Sequence, residues 1–87
     1  MEYDRRITGQ VIGRMRTQRG ISQEVLSGLC GIARSHLSMI ENGAKSPTME
    51  TLWKIAAALD MPLSALIRMV EKAHWEAQKK RAPRPRE

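Results

Sequence analysis

An 87-residue chain has length for one domain around one hydrophobic core, near the lower limit of what folds unaided, so a separate ligand-sensing domain is not expected. Its residues are 41% hydrophobic but only 3% aromatic, with no Phe, which leaves a core of Leu, Ile, Val, Met and Ala and makes an all-α domain the expectation. A formal charge of +6 and a pI of about 10.3 suit a polyanionic partner, either nucleic acid or an anionic membrane surface, while apolar runs of a few residues exclude a membrane span, which needs about 20.

In chain order, residues 1–7 read as an N-terminal arm. Helix one is expected to start at Thr8 as N-cap, to turn Val11, Ile12 and Met15 inward, and to stop at Gly20. Ser22 caps helix two, whose buried stripe is read as Val25, Leu26 and Leu29, and Gly31 ends it in left-handed geometry. After the tight connection Gly31-Ile32-Ala33, a third helix over 33–41 turns Leu37 and Ile40 inward and is closed by Asn42-Gly43. Thr48 caps helix four, where Leu52, Ile55, Ala56 and Leu59 recur at i, i+3, i+4 and i+7, with Asp60 as its stop. Pro62 suits the first turn of helix five, whose stripe of Leu63, Leu66, Ile67 and Val70 extends through Ala73 and Ala77. The domain is thus expected over 8–67, with an extension of helix five over 68–78 and a basic, disordered tail over 79–87 where prolines alternate with arginines.

Two short helices joined by a tight Gly-containing turn, each with one fixed apolar face, make a helix-turn-helix unit. The residues that carry a resemblance are I-S-Q-E at 21–24, G-I at 31–32, L-S-x-I-E-N-G at 37–43, Pro47, and T-L-x-K-I-A-x-A-L at 51–59. Over 8–67 the chain resembles the Xre, or Cro/C1-type, helix-turn-helix domains of phage repressors and bacterial regulators. That resemblance implies a five-helix, lambda-repressor-like fold that binds double-stranded DNA, helix two crossing the backbone and helix 33–41 reading the major groove. It implies a small transcriptional regulator, expected to repress.

Roles follow residue by residue. Ser22 and Gln23 open helix two, where free N–H groups favour a phosphate, and Gln23 matches the family's phosphate-contacting glutamine. Arg34 and Ser35 match base-reading positions, and an Arg can donate to both guanine O6 and N7. His36 and Met39 point away from Leu37 and Ile40 and join them as expected readers, Met39 toward a thymine methyl. Asn42 matches a phosphate-contacting asparagine, and Lys45 is the basic residue of the following loop. Arg16 and Glu41 match a charge pair tying helix one to the recognition helix. Two positions depart from the family: Ala33 supplies no cap oxygen, at a cost of about 1 kcal/mol, and Ala44 stands where a basic residue is usual.

Trp53 and Trp75 lie off the helix-four and helix-five stripes and are the expected contacts of a homodimer, since two-fold operators are read by two-fold proteins. Gly13 and Gly28 within helices are read as marks of close packing, and Cys30 as a small core residue. A single cysteine excludes an internal disulfide, and His36 and His74 lack neighbours at metal-ligand spacing, so no metal or cofactor is expected. With no nucleophile and base, paired carboxylates or phosphate-cradling loop, an enzyme is not expected. MEYDRRITG has no apolar export segment, which makes the cytoplasm the expected location. The competing reading is a protein-interaction module or antitoxin on the same fold, with a toxin or other regulator as partner. Residues 68–87 hold seven basic and three acidic residues, +4 of the +6, a solvated run that also suits added phosphate contacts.

Overall fold

The computed structural model describes residues 1–81, and the remainder of the basic tail lies outside the described residues. The regular structure among these residues is helical: α1 Arg5–Gln18, α2 Gln23–Cys30, α3 Arg34–Glu41, α4 Met49–Ala58 and α5 Leu63–Arg81. Helix α1 packs on α3 and α5, α2 on α3 and α4, and α4 on α5, so the chain wraps one core. Ile12, Leu26, Leu37, Ile40, Ile55, Leu59 and Leu66 are fully buried there, and every helix contributes to it. Each such side chain stabilises by about 1.5–3 kcal/mol relative to exposure.

The caps follow local chemistry. Ser22 Oγ accepts from Val25 N–H at 3.1 Å and Thr48 Oγ1 from Thr51 N–H at 3.1 Å. Gly31 closes α2 at φ 72°. Asp60, at φ 58°, follows α4 in the left-handed region that Asp tolerates better than most residues, and Met61 N–H reaches back to Ala56 O at 3.0 Å. Helix α3 starts at Ala33 without a side-chain cap bond, as expected from the missing oxygen.

Four expectations need correction. Helix α1 begins at Arg5, not after Thr8, so the expected arm of residues 1–7 ends at Asp4, whose carboxylate accepts from Arg6 N–H at 2.9 Å. Thr8 is instead buried against the core. In α2 the inward residues are Leu26, Ser27 and Cys30, whereas Val25 and Leu29 are 48% and 63% exposed. A two-turn helix buries one stripe, and the one that α3 and α4 cover is rotated by one residue, about 100°, from the most apolar one. In α5 the inward row is Leu66, Val70 and His74 at i, i+4 and i+8, which leaves Ile67 on the outer side. That helix also runs through Arg81, three residues beyond the expected boundary at 78, so Lys79 and Lys80 are helical rather than part of a tail.

Candidate nucleic-acid interface

Helix α3 is held firmly at its C-terminal end. Glu41 takes Arg16 in a two-point ion pair, Nε to Oε2 at 2.7 Å and Nη2 to Oε1 at 3.0 Å, with the two side chains only 15% and 9% exposed. Arg16 Nη1 also donates to Ile21 O at 2.8 Å, and Gln23 Nε2 donates to Glu41 Oε1 at 3.0 Å. One carboxylate therefore joins α1, α2 and α3. The hydrogen bond to Glu41 holds the Arg16 guanidinium above its ordinary pKa, so it stays charged at any working pH. Planar guanidinium and carboxylate meet here in fork-to-fork geometry, the strongest form of such a pair.

Backbone proximity fixes the same end. A Cβ on Gly9 would lie 2.7 Å from Glu41 O and still nearer Ile40 O, so α1 touches the last turn of α3 main chain to main chain. Gly13 faces the Glu41 carboxylate, with 3.2 Å from its ideal Cβ position to Oε1, in agreement with its reading as a packing glycine. Gly28 has open space beside it and marks no close packing.

At its other end α3 presents Arg34 and Ser35 exposed, with Met39 on the open face one turn on. His36 is half-buried rather than solvent-facing. Asn42 Oδ1 accepts from Ala44 N–H at 2.9 Å, which leaves its amide NH2 available, and Gly43 adopts φ 82° while Ala44 N–H bonds Met39 O at 2.9 Å. Lys45 is exposed on this loop. Ser22 and Gln23 are both engaged internally, the first as cap and the second on Glu41, so α2 offers an anion the backbone N–H groups that precede its first intrahelical bond. Arg34, Ser35, His36, Met39, Asn42 and Lys45 all belong to α3 and the turn that follows it, while Gln23 joins them through Glu41.

Sequence reasoning missed the residues around this loop whose partners are far away in the chain. Arg5 Nε donates to Gly43 O at 2.8 Å, and the Tyr3 hydroxyl meets Ser46 Oγ at 3.2 Å. His74, only 5% exposed, accepts Asp4 N–H at 2.9 Å through Nε2. These contacts span 38, 43 and 70 residues and leave no periodic trace in the sequence.

An apolar groove lies between α4 and α5, lined by Met49, Trp53, Ala57, Met61, Leu63 and Ile67. Trp53 is 64% exposed, and Trp75 stands exposed eight residues beyond Ile67 on the same row of α5. Among the described residues no cluster of His, Cys, Asp and Glu has metal-binding geometry, and no helix is long and apolar enough to cross a membrane.

A family model described as helix-turn-helix matches residues 12–66. The HTH-type transcriptional regulator SutR of Escherichia coli is 39% identical over 67 residues, 77% of this chain and 38% of SutR. SinR of Bacillus subtilis is 31% identical over 71 residues, covering 80% of this chain and 64% of SinR. The chain thus spans well under two thirds of SutR and slightly under two thirds of SinR. Among solved structures, the restriction-modification controller protein C.AhdI of Aeromonas hydrophila superposes with a TM-score of 0.70 at 35% identity, over 72% of this chain and 96% of C.AhdI. A second controller protein, C.Esp1396I, gives 0.77 at 22% identity over 87% of this chain and 99% of its own, a likeness of fold. With its matched residues spanning all of α2, α3 and α4 and the spacing between them, the chain belongs to the helix-turn-helix family of the Xre, or Cro/C1, type.

Proposed function

We propose that this chain is a sequence-specific, double-stranded-DNA-binding transcriptional regulator that acts in the cytoplasm as a homodimer and represses by occupying promoter DNA. The observation that carries the reading is the asymmetry of α3. Its C-terminal end is fixed by the Arg16–Glu41 pair, and its N-terminal end projects Arg34 and Ser35 into solvent. A helix anchored at one end and bare at the other is the geometry that lets first-turn side chains reach base edges in a major groove. In that placement Arg34 reads guanine, Ser35 and His36 adapt to neighbouring edges, and Met39 contacts a thymine methyl. Ser22 and Gln23 with the α2 N-terminus, Asn42 and Lys45 hold phosphates on either side.

The Trp53 and Trp75 face supports the dimer. An apolar groove rimmed by Arg68 and Glu71 suits the same groove of a second copy, because a two-fold contact is self-complementary and pairs unlike charges across the axis. SutR and SinR bear the name of transcriptional regulators, which agrees with the reading.

Selection of bound duplexes from a random pool, followed by anisotropy titration of the winner, tests it. Arg34→Ala with Gln23→Ala is expected to abolish discrimination between the selected and a scrambled duplex and to weaken binding at least tenfold. Unchanged affinity and unchanged salt dependence in that double variant would remove α2 and α3 as the binding face.

A further inference from the structure

The first turn of α1 is built against the loop that follows α3. Gly43 is buried there, and a Cβ on it would fall 2.9 Å from Arg6 Cα and nearer still to Arg6 Cγ, so no side chain separates the two segments. Arg5 uses Nε on Gly43 O, and its Nη1 and Nη2 groups have no partner among the described residues. Lys45 is two residues farther along the loop, and Ser46 beside it is bonded to the Tyr3 hydroxyl at 3.2 Å. Tyr3 in turn stacks on His74, ring centroids 5.3 Å apart at an interplanar angle of 16°. The His74 ring is fixed at both nitrogens: Nε2 accepts Asp4 N–H, which requires the proton on Nδ1, and Nδ1–H donates to Val70 O at 2.8 Å. A chain of contacts thus runs from α5 through Asp4 and Tyr3 to both sides of Lys45.

We propose that Arg5 is a ligand for a DNA-backbone phosphate, forming with Lys45 a two-cation clamp across the Gly43 turn, and that Tyr3 and His74 are the positioning residues that hold it there. The inference rests on the DNA-binding face proposed above. An Arg that spends one nitrogen on a carbonyl keeps a planar edge of N–H donors, oriented before any ligand arrives, which suits a phosphodiester oxygen pair better than a free lysine does. Because Arg5 belongs to α1 and not to α2 or α3, the protein grips the backbone from a third helix, with no sequence preference of its own.

The test is the salt dependence of binding to a selected duplex. Losing one phosphate contact lowers the slope of log K against log salt by about 0.9 and the affinity at 0.1 M salt by roughly 5- to 10-fold. Arg5→Gln is expected to show both losses, and Arg5→Lys to keep the slope. Tyr3→Phe is expected to weaken binding at unchanged slope, because it removes the Ser46 bond but no charge. Lys54→Gln, an exposed charge of α4 paired with Glu50, is expected to change neither. An Arg5→Gln slope equal to that of the unmodified protein overturns the proposal.

A second readout needs no variant. In a titration of the isotopically labelled protein with a short duplex, the Arg5 Nε–Hε resonance is expected to shift with those of Lys45 and Gln23. Movement of Lys45 and Gln23 with Arg5 stationary overturns the clamp alone, and stationary resonances at all three overturn the binding face beneath it.

Discussion

Two surfaces of this domain are finished in opposite ways. On the α1–α3 side, polar groups are paired and main chains touch: Arg16, Gln23 and Glu41 share one carboxylate, and Gly9 admits α1 to the carbonyls of Ile40 and Glu41. On the α4–α5 side, Met49, Trp53 and Ile67 are 65%, 64% and 37% exposed. The first arrangement fixes the orientation of a helix, and each added hydrogen bond narrows the angles it can take. The second fixes nothing within the chain and gains free energy only when a matching surface covers it. One face is finished by folding and the other, in the proposed dimer, by association.

Breaking the polar side is expected to have the largest effect. Arg16→Ala strands the Glu41 carboxylate, 9% exposed, and should lower stability by about 3 kcal/mol or more in urea denaturation. Replacing both partners by apolar residues, Arg16→Met with Glu41→Leu, should recover much of that while still costing DNA affinity, because Gln23 then loses its acceptor. A double variant no more stable than Arg16→Ala would mean that the network contributes more than the removal of a stranded charge.

On the apolar side, Trp53→Ser is expected to raise the dimer dissociation constant by about 10- to 100-fold, the range of a buried interface aromatic, and to leave the melting of the monomer nearly unchanged. Sedimentation equilibrium reads the first and calorimetry at low concentration the second. Equal destabilisation of the monomer would assign Trp53 to the domain itself.

Smaller effects sharpen the contrast. Ala33→Ser restores an oxygen at the start of α3 and should stabilise by about 1 kcal/mol, measured as a shift in the urea midpoint. Burial pushes the Cys30 thiol up from its ordinary pKa, more strongly than nearby Lys54 lowers it. Less thiolate is therefore present at neutral pH than in the unfolded chain, and alkylation should be slower in the folded protein and accelerate only as the pH is raised. Labelling at the unfolded rate would show that Cys30 is open to solvent.

Where the chemistry is local, the sequence was a good guide. Ser22, Thr48 and Gly31 cap the helices assigned to them, because a cap is decided within a few residues. The core rows of α1 and α4 follow from their periodicity. Helix α2 is different: Val25 and Leu29 are more apolar than Ser27, yet Ser27 is inside, since covering by α3 and α4 rather than side-chain type selected the face. At α1 both Asp4 and Thr8 are competent caps, and Asp4, the one used, is also tied by its N–H to His74, 70 residues away.

Within the interface, the pair Arg16 and Glu41 was legible only through resemblance, and its geometry now gives it substance. Gln23, proposed to hold a phosphate, also donates to Glu41, because a carboxylate already desolvated by Arg16 needs a further donor. The Arg5, Tyr3 and His74 contacts had no signal at all in spacing or composition.

The bond between Asp4 and His74 also bears on when the molecule becomes whole. It closes a loop of nearly the entire described chain, a closure it shares with the packing of α1 on α5. The central helices, with shorter-range contacts, are expected to gather first and the ends to join last. In native-state hydrogen exchange this joint should open at a lower free energy than the core, as a clasp that releases the first turn of α1 while the rest of the domain stays closed.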